Sequence, residues 1–284
     1  MPVIAALAAL LPPAAAAVAS DAPLRVCAAR DNMPFSDANG EGFENKLASL
    51  VAADLGRPLV YGWLADGTKD PLTALAAGHC DLVIGVPAGF SGVATTHPYY
   101  WSSYVLISRT DRGLGISSLK DHRLRGLKIG VASIDGDTLY APPARALSQS
   151  GLGKNLVAYP VDDGGDGPSQ SGKIVDAIVH GDVDIAAVWG PSAGYWARKA
   201  PAALTVTTIG DTDEFSARKT HFELLGLQYE IAMAVRQDDE RLRTALDGAI
   251  ARDRPRMEAV LKEYGVPLIE PTRLSSANPR GSTE

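Results

Sequence analysis

The sequence predicts an α/β protein of two lobes, each built on a doubly wound, mainly parallel sheet with flanking helices. Three observations carry this reading. Apolar runs short enough for buried strands alternate with segments of helical periodicity. The same plan then recurs further along: Leu24 to Leu127 and Asp81 to Asp184 are both steps of 103 residues. Finally, two long strand-like segments follow the two units, Tyr99–Arg109 and Gln228–Arg236, placed to cross between lobes as a hinge.

The elements follow in order. Leu24–Ala28 is an apolar run suited to a buried parallel strand. Phe43, Leu47, Leu50, Val51 and Leu55 lie on one helical face, and Gly56 stops that helix. Leu59–Trp63 is a second strand. Pro71 opens a short helix that Gly78 ends, and Asp81–Val86 is a third strand. This βαβαβ order implies parallel strands with right-handed crossovers. In the second unit Gly181-x-x-Asp184-Ile185 repeats Gly78-x-x-Asp81-Leu82, again between an apolar helix and an apolar strand. After the second crossing strand, Leu242, Leu246 and Ile250 share one helical face. Pro255 predicts a turn before a second helix carrying Met257, Val260, Leu261 and Tyr264. This tail is too short for a domain and most simply completes the first lobe. The expected division is a signal peptide over 1–19, lobe 1 over 20–106 and 231–270, lobe 2 over 107–230, and a C-terminal tail over 271–284.

Composition narrows the function. The 284 residues carry a formal charge of −6, against the surplus of Lys and Arg that nucleic acid binding needs. The 46% hydrophobic content is that of a globular chain, large enough to bury a core without metal or disulfide staples. Met1–Ser20 is uncharged and rich in Ala, Leu, Val and Pro; Ala17 and Ala19 stand at the −3 and −1 positions of a small-residue cleavage site. This resembles a secretory signal peptide, though without a basic residue at its start. The rest has no apolar run long enough for a membrane span, so an exported, periplasmic protein is expected.

Several motifs carry little. Gly167–Lys173 has the outline of a phosphate loop, but Ile174 stands where a hydroxyl should hold magnesium, and Pro168 removes a backbone donor. Asp162, Asp163 and Asp166 lie among glycines without the further ligands a cation site needs. The five histidines show no metal-binding spacing, and no Gly-x-Ser-x-Gly elbow occurs. No catalytic residue, metal or cofactor is therefore assigned.

Cys27 lies in the first strand and Cys80 at the entry to the third; with strand order 2-1-3 these strands are neighbours, and an oxidising compartment favours a disulfide. Two small buried thiols are the alternative, and the strand register decides. Loops after parallel strands face the crevice at the carboxyl ends of the sheet. These are Arg30–Ser36, Pro87–Phe90, Ser133–Asp137 and Trp189–Ser192, with Tyr99, Tyr100 and Trp101 at the lobe exit. The candidate ligand or partner cleft comprises Arg30, Asn32, Met33, Phe35, Pro87, Phe90, Tyr99, Tyr100, Ser133, Asp135, Trp189 and Tyr195.

Two such lobes, crossing strands and a terminal helical segment resemble the type-2 periplasmic solute-binding proteins. Within that group, six segments resemble the quinoprotein dehydrogenase-associated branch, the J proteins (MxaJ and XoxJ type) encoded beside PQQ-dependent methanol dehydrogenases. They are Arg25–Ala28, Asn32–Ser36, Gly40–Asn45, Gly85–Phe90, Thr95–Tyr100 and Val188–Tyr195, and the closing Lys-Glu-Tyr-Gly of 262–265 fits the wider group. The resemblance implies a non-enzymatic accessory or maturation factor, with the PQQ-dependent alcohol dehydrogenase or its cytochrome as partner. Amino-acid-binding relatives clamp the ligand carboxylate with an Arg just before the first crossing strand. Here Phe90–Pro98 has none, and His97 is a poor substitute at neutral pH. The competing expectation is a transporter-linked receptor for a small solute.

Overall fold

The computed structural model describes residues 22–64, 70–133, 138–160, 170–210 and 226–269. The signal-peptide segment 1–19, the tail 271–284, Asp135, His221, the aspartates at 162, 163 and 166, and residues 167–169 of the phosphate-loop-like segment lie outside the described residues.

In the first lobe β1 (Leu24–Ala28) runs through the small hairpin β2 (Asp31–Asn32) and β3 (Ser36–Asp37) into α1 (Phe43–Asp54). Then come β4 (Leu59–Trp63), α2 (Pro71–Ala76), β5 (Leu82–Pro87), the short β6 (Ala94–Thr95) and the ten-residue β7 (Tyr100–Arg109). The second lobe holds β8 (Ile129–Ser133), α3 (Pro142–Leu147), β9 (Leu156–Pro160), α4 (Gln170–His180), β10 (Ile185–Trp189), α5 (Gly190–Lys199) and β11 (Leu204–Thr208). The chain returns through β12 (Gln228–Val235) to α6 (Glu240–Glu263).

Each lobe has the order 2-1-3: β4-β1-β5 and β9-β8-β10, all parallel. β12 adds antiparallel to β5, and β7 adds antiparallel to β10. β7 is shared between the lobes. Tyr100–Ser103 pair with Ile231–Gln228 of β12, and Tyr104–Ser108 pair with β10. The helices α1 and α6 cover one face of the first sheet, where Phe43, Leu47, Val51, Met257 and Leu261 are buried. α2 covers the other face.

The 103-residue repeat is structural. Gly78 and Gly181 both take the left-handed conformation that glycine favours, at φ +75° and +82°. Asp81 accepts the backbone N–H of Arg25 at 3.2 Å, and Asp184 accepts that of Lys128 at 2.8 Å. Each aspartate's own N–H returns to the carbonyl of the same strand residue. The Cys27–Cys80 disulfide is formed, with Cα atoms 5.5 Å apart, inside the small apolar cluster under α2.

Two expectations are corrected. Pro255 does not start a turn: α6 is one helix through it. Proline in a helix interior costs about 3 kcal/mol. The buried face nevertheless continues past it through Met257 and Leu261, each fully enclosed and each contributing about 1.5–3 kcal/mol by burial. Trp189–Ser192 is not a loop either, because β10 passes directly into α5, whose first turn accepts Pro191. No helix among the described residues is long and apolar enough to cross a membrane.

Candidate ligand and partner cleft

On the lobe 1 side, the Asn32 carbonyl accepts the Phe35 N–H at 2.8 Å and closes a tight turn around the cis Met33–Pro34 bond. The carbonyls of Pro34 and Phe35 then accept the first N–H groups of α1 from Phe43 and Glu44. Gly42 is required there, because a Cβ would lie 2.1 Å from the Phe35 oxygen. Met33 and Phe35 are half-buried, and Phe35 leans on Phe43 with ring centres 5.3 Å apart. Asn32 is exposed; Arg30, also exposed, lays its guanidinium 5.3 Å over the Trp63 ring.

The Pro87–Phe90 turn is tied down on two sides. Ala88 donates to the Glu230 carbonyl on β12, and Gly89 donates to the Thr95 hydroxyl on β6. Pro87 and Phe90 are half-buried. Beyond this turn, His97 turns away to α6: its N–H donates to Asp247 at 2.7 Å and its ring nitrogen lies 3.1 Å from the same carboxylate.

Trp189 forms a link between the lobes. Its half-buried ring meets Tyr104 edge-on at 5.3 Å and Tyr229 at 5.6 Å, so strands β10, β7 and β12 share one aromatic cluster. Burial pushes the Tyr104 hydroxyl up to about 12 and Tyr229 well above its ordinary value, so both stay un-ionised at neutral pH.

The remaining candidates are placed differently. Tyr99 and Tyr100 are 1% and 3% exposed in the lobe 1 core, leaving almost no surface for a ligand. Ser133 is buried at the end of β8. Tyr195 is 9% exposed and stacks on Tyr264 at the end of α6, under the ammonium of Lys199.

Sequence reasoning missed Glu44, at the first turn of α1. Its carboxylate lies over Gly85, where a Cβ would come within 2.1 Å of an Oε, and it faces Tyr99 and Tyr100. It keeps a narrow contact with solvent, while enclosure by protein pushes it up to about 8. The Gly40–Asn45 segment carried the family resemblance but held no sign of that burial.

No protein-family model matches the chain. It is 31% identical over 253 residues to Protein MoxJ of Methylorubrum extorquens, across 87% of this chain and 81% of that protein. The chain belongs to the MoxJ family. Its structure is similar to that of MxaJ from Methylophaga aminisulfidivorans MPT, with a TM-score of 0.73 and 29% identity over 87% of this chain and all (100%) of that one. It is also similar to the periplasmic binding protein XoxJ from Methylobacterium extorquens AM1, with a TM-score of 0.68, 31% identity, and 87% and 99% of the two chains covered. The MoxJ-family chain therefore has the two-lobe, type-2 periplasmic-binding-protein fold of the MxaJ and XoxJ branch.

Proposed function

We propose that this protein is an exported, non-enzymatic accessory factor of a PQQ-dependent methanol or alcohol dehydrogenase system in the periplasm. Its partner is the dehydrogenase or its cytochrome. We place lobe 1 at 20–106 with 231–270 and lobe 2 at 107–230, and the contact surface on the cleft rim: Arg30, Asn32, Met33, Phe35, Pro87 and Phe90, with Trp189 at the floor. Ser133, Asp135 and Tyr195 are the lobe 2 candidates.

Membership of the MoxJ family carries the reading. The rim supports it chemically. Half-buried Met and Phe side chains on short, tethered turns suit contact with apolar groups of a protein segment. The Phe90–Pro98 stretch has no guanidinium to clamp a carboxylate, and its one cationic candidate, His97, is bound to Asp247. The test is capture from periplasm with the mature protein as bait. Recovery of the dehydrogenase or its cytochrome by the parent, and its loss with Phe90→Ala at unchanged melting temperature, is the expected result. Capture of neither by the parent refutes the reading.

A further inference from the structure

The closing Lys-Glu-Tyr-Gly motif and the four residues after it lie against both lobes. α6 ends in a glycine cap: Gly265, at φ +73°, donates to the Lys262 carbonyl and Val266 donates to that of Leu261. The last carbonyls of such a helix lack intrahelical partners. Here the glycine cap satisfies some of them and the other lobe adds a donor to two. Arg198, in the last turn of α5, donates to the Lys262 and Glu263 carbonyls at 3.1 and 2.7 Å. Its cation also sits at the negative end of the α6 dipole.

Further contacts continue the line toward the hinge. Gly194 lies so close to Gly265 that a Cβ would be 1.9 Å from the Gly265 oxygen. A Cβ on Gly190 would lie 2.5 Å from the Ser103 oxygen of β7 and 3.4 Å from the Pro267 ring, the second an ordinary contact. The Ser102 hydroxyl donates to the Pro267 carbonyl at 2.9 Å, and Ile269 donates to the Trp101 carbonyl at 3.2 Å. Tyr195 stacks on Tyr264 at 5.9 Å beside them. Gly190, Gly194 and Arg198 are four apart and so form one face of α5.

We infer that residues 264–269 form a strap that fixes the angle between the lobes, so that the cleft recognises its target by a preformed opening rather than by closing around it. Hinge closure needs packed elements to slide or part. A backbone-on-backbone contact without a Cβ between, capped by a charge-assisted pair of hydrogen bonds, leaves α5 little room to slide on the end of α6. The strap rests on these contacts alone and stands whatever the cleft receives.

Spin labels on Val60→Cys in β4 and Lys154→Cys before β9, at the outer edges of the two sheets, report the lobe-to-lobe distance by double electron–electron resonance. The parent should give one narrow distribution. Gly194→Ala favours the local helix but drives a methyl group into the strap, and should shift and broaden the distribution with the far-ultraviolet spectrum retained. Arg198→Ala should broaden it less. Two populations in the parent overturn the inference, as does a folded Gly194→Ala with the parent's distribution. If Gly194→Ala does not fold, Arg198→Ala decides, and an unchanged distribution overturns the strap.

Discussion

Replacing Trp189 by Ala tests whether the indole is a wedge between strands or a surface for a partner. The ring is half-buried and touches two tyrosines on the two crossing strands, at 5.3 and 5.6 Å. Trp→Ala in a core costs about 3–5 kcal/mol. The partial exposure argues for the low end, while each edge-on aromatic pair contributes about 0.5–1.5 kcal/mol beyond its buried area. The expected loss is therefore about 3 kcal/mol, or about 6–12 °C in melting temperature for a chain of this size. Urea unfolding beside calorimetry measures it. A loss below about 1 kcal/mol refutes the wedge and leaves Trp189 to the partner surface alone, where capture would weaken instead. Phe90 makes the contrast, because it is half-buried in an outer turn. Its truncation should leave stability within about 1 kcal/mol of the parent and weaken capture by about 1–3 kcal/mol.

Three other outcomes are expected. Replacing Cys27 and Cys80 by Ser opens a loop closed across a sequence separation of 53 and should remove about 4 kcal/mol of stability in the chain-entropy account; thiol labelling of the unfolded, unreduced parent should find no free thiol, and two free thiols would contradict the bridge. Glu44 is held at about 8 against an ordinary 4.5, so the native state keeps a proton that the unfolded chain loses. Stability should fall as pH rises through that window, and Glu44→Gln should flatten the fall, matching the parent at about pH 5 and exceeding it at about pH 8. Tyr99 and Tyr100, which face Glu44, are pushed well above 10 by burial and do not titrate there; denaturant titrations giving parallel pH curves for parent and variant would sink this. Finally, none of the common amino acids should bind tighter than about 1 mM, and micromolar heat in a calorimetric titration would restore the solute-receptor reading.

The parts of the fold legible in the sequence were those set by local pattern. β1 and β4 carry their own apolar runs, and the repeat at 103 residues located the paired glycines and aspartates before any bond between them was visible. What sequence reasoning misplaced depends on partners far along the chain. Pro255 has the local chemistry of a break, and only the buried face through Met257 and Leu261 overrides it. Tyr99 and Tyr100 have the composition of a cleft lining, yet they face inward, since a tyrosine does not state which side of a strand it occupies. The strap is the instructive case. A glycine inside a helix costs roughly 0.5–1 kcal/mol relative to Ala, and α5 holds Gly194 there, four residues after Gly190 at its first position and four before Arg198. That uncompensated local cost is itself a sign that another backbone comes close. The sign gives the face of the helix but not the address of its neighbour. Gly265 could be found only once β12 had carried the chain back to the first lobe and α6 had run its full length.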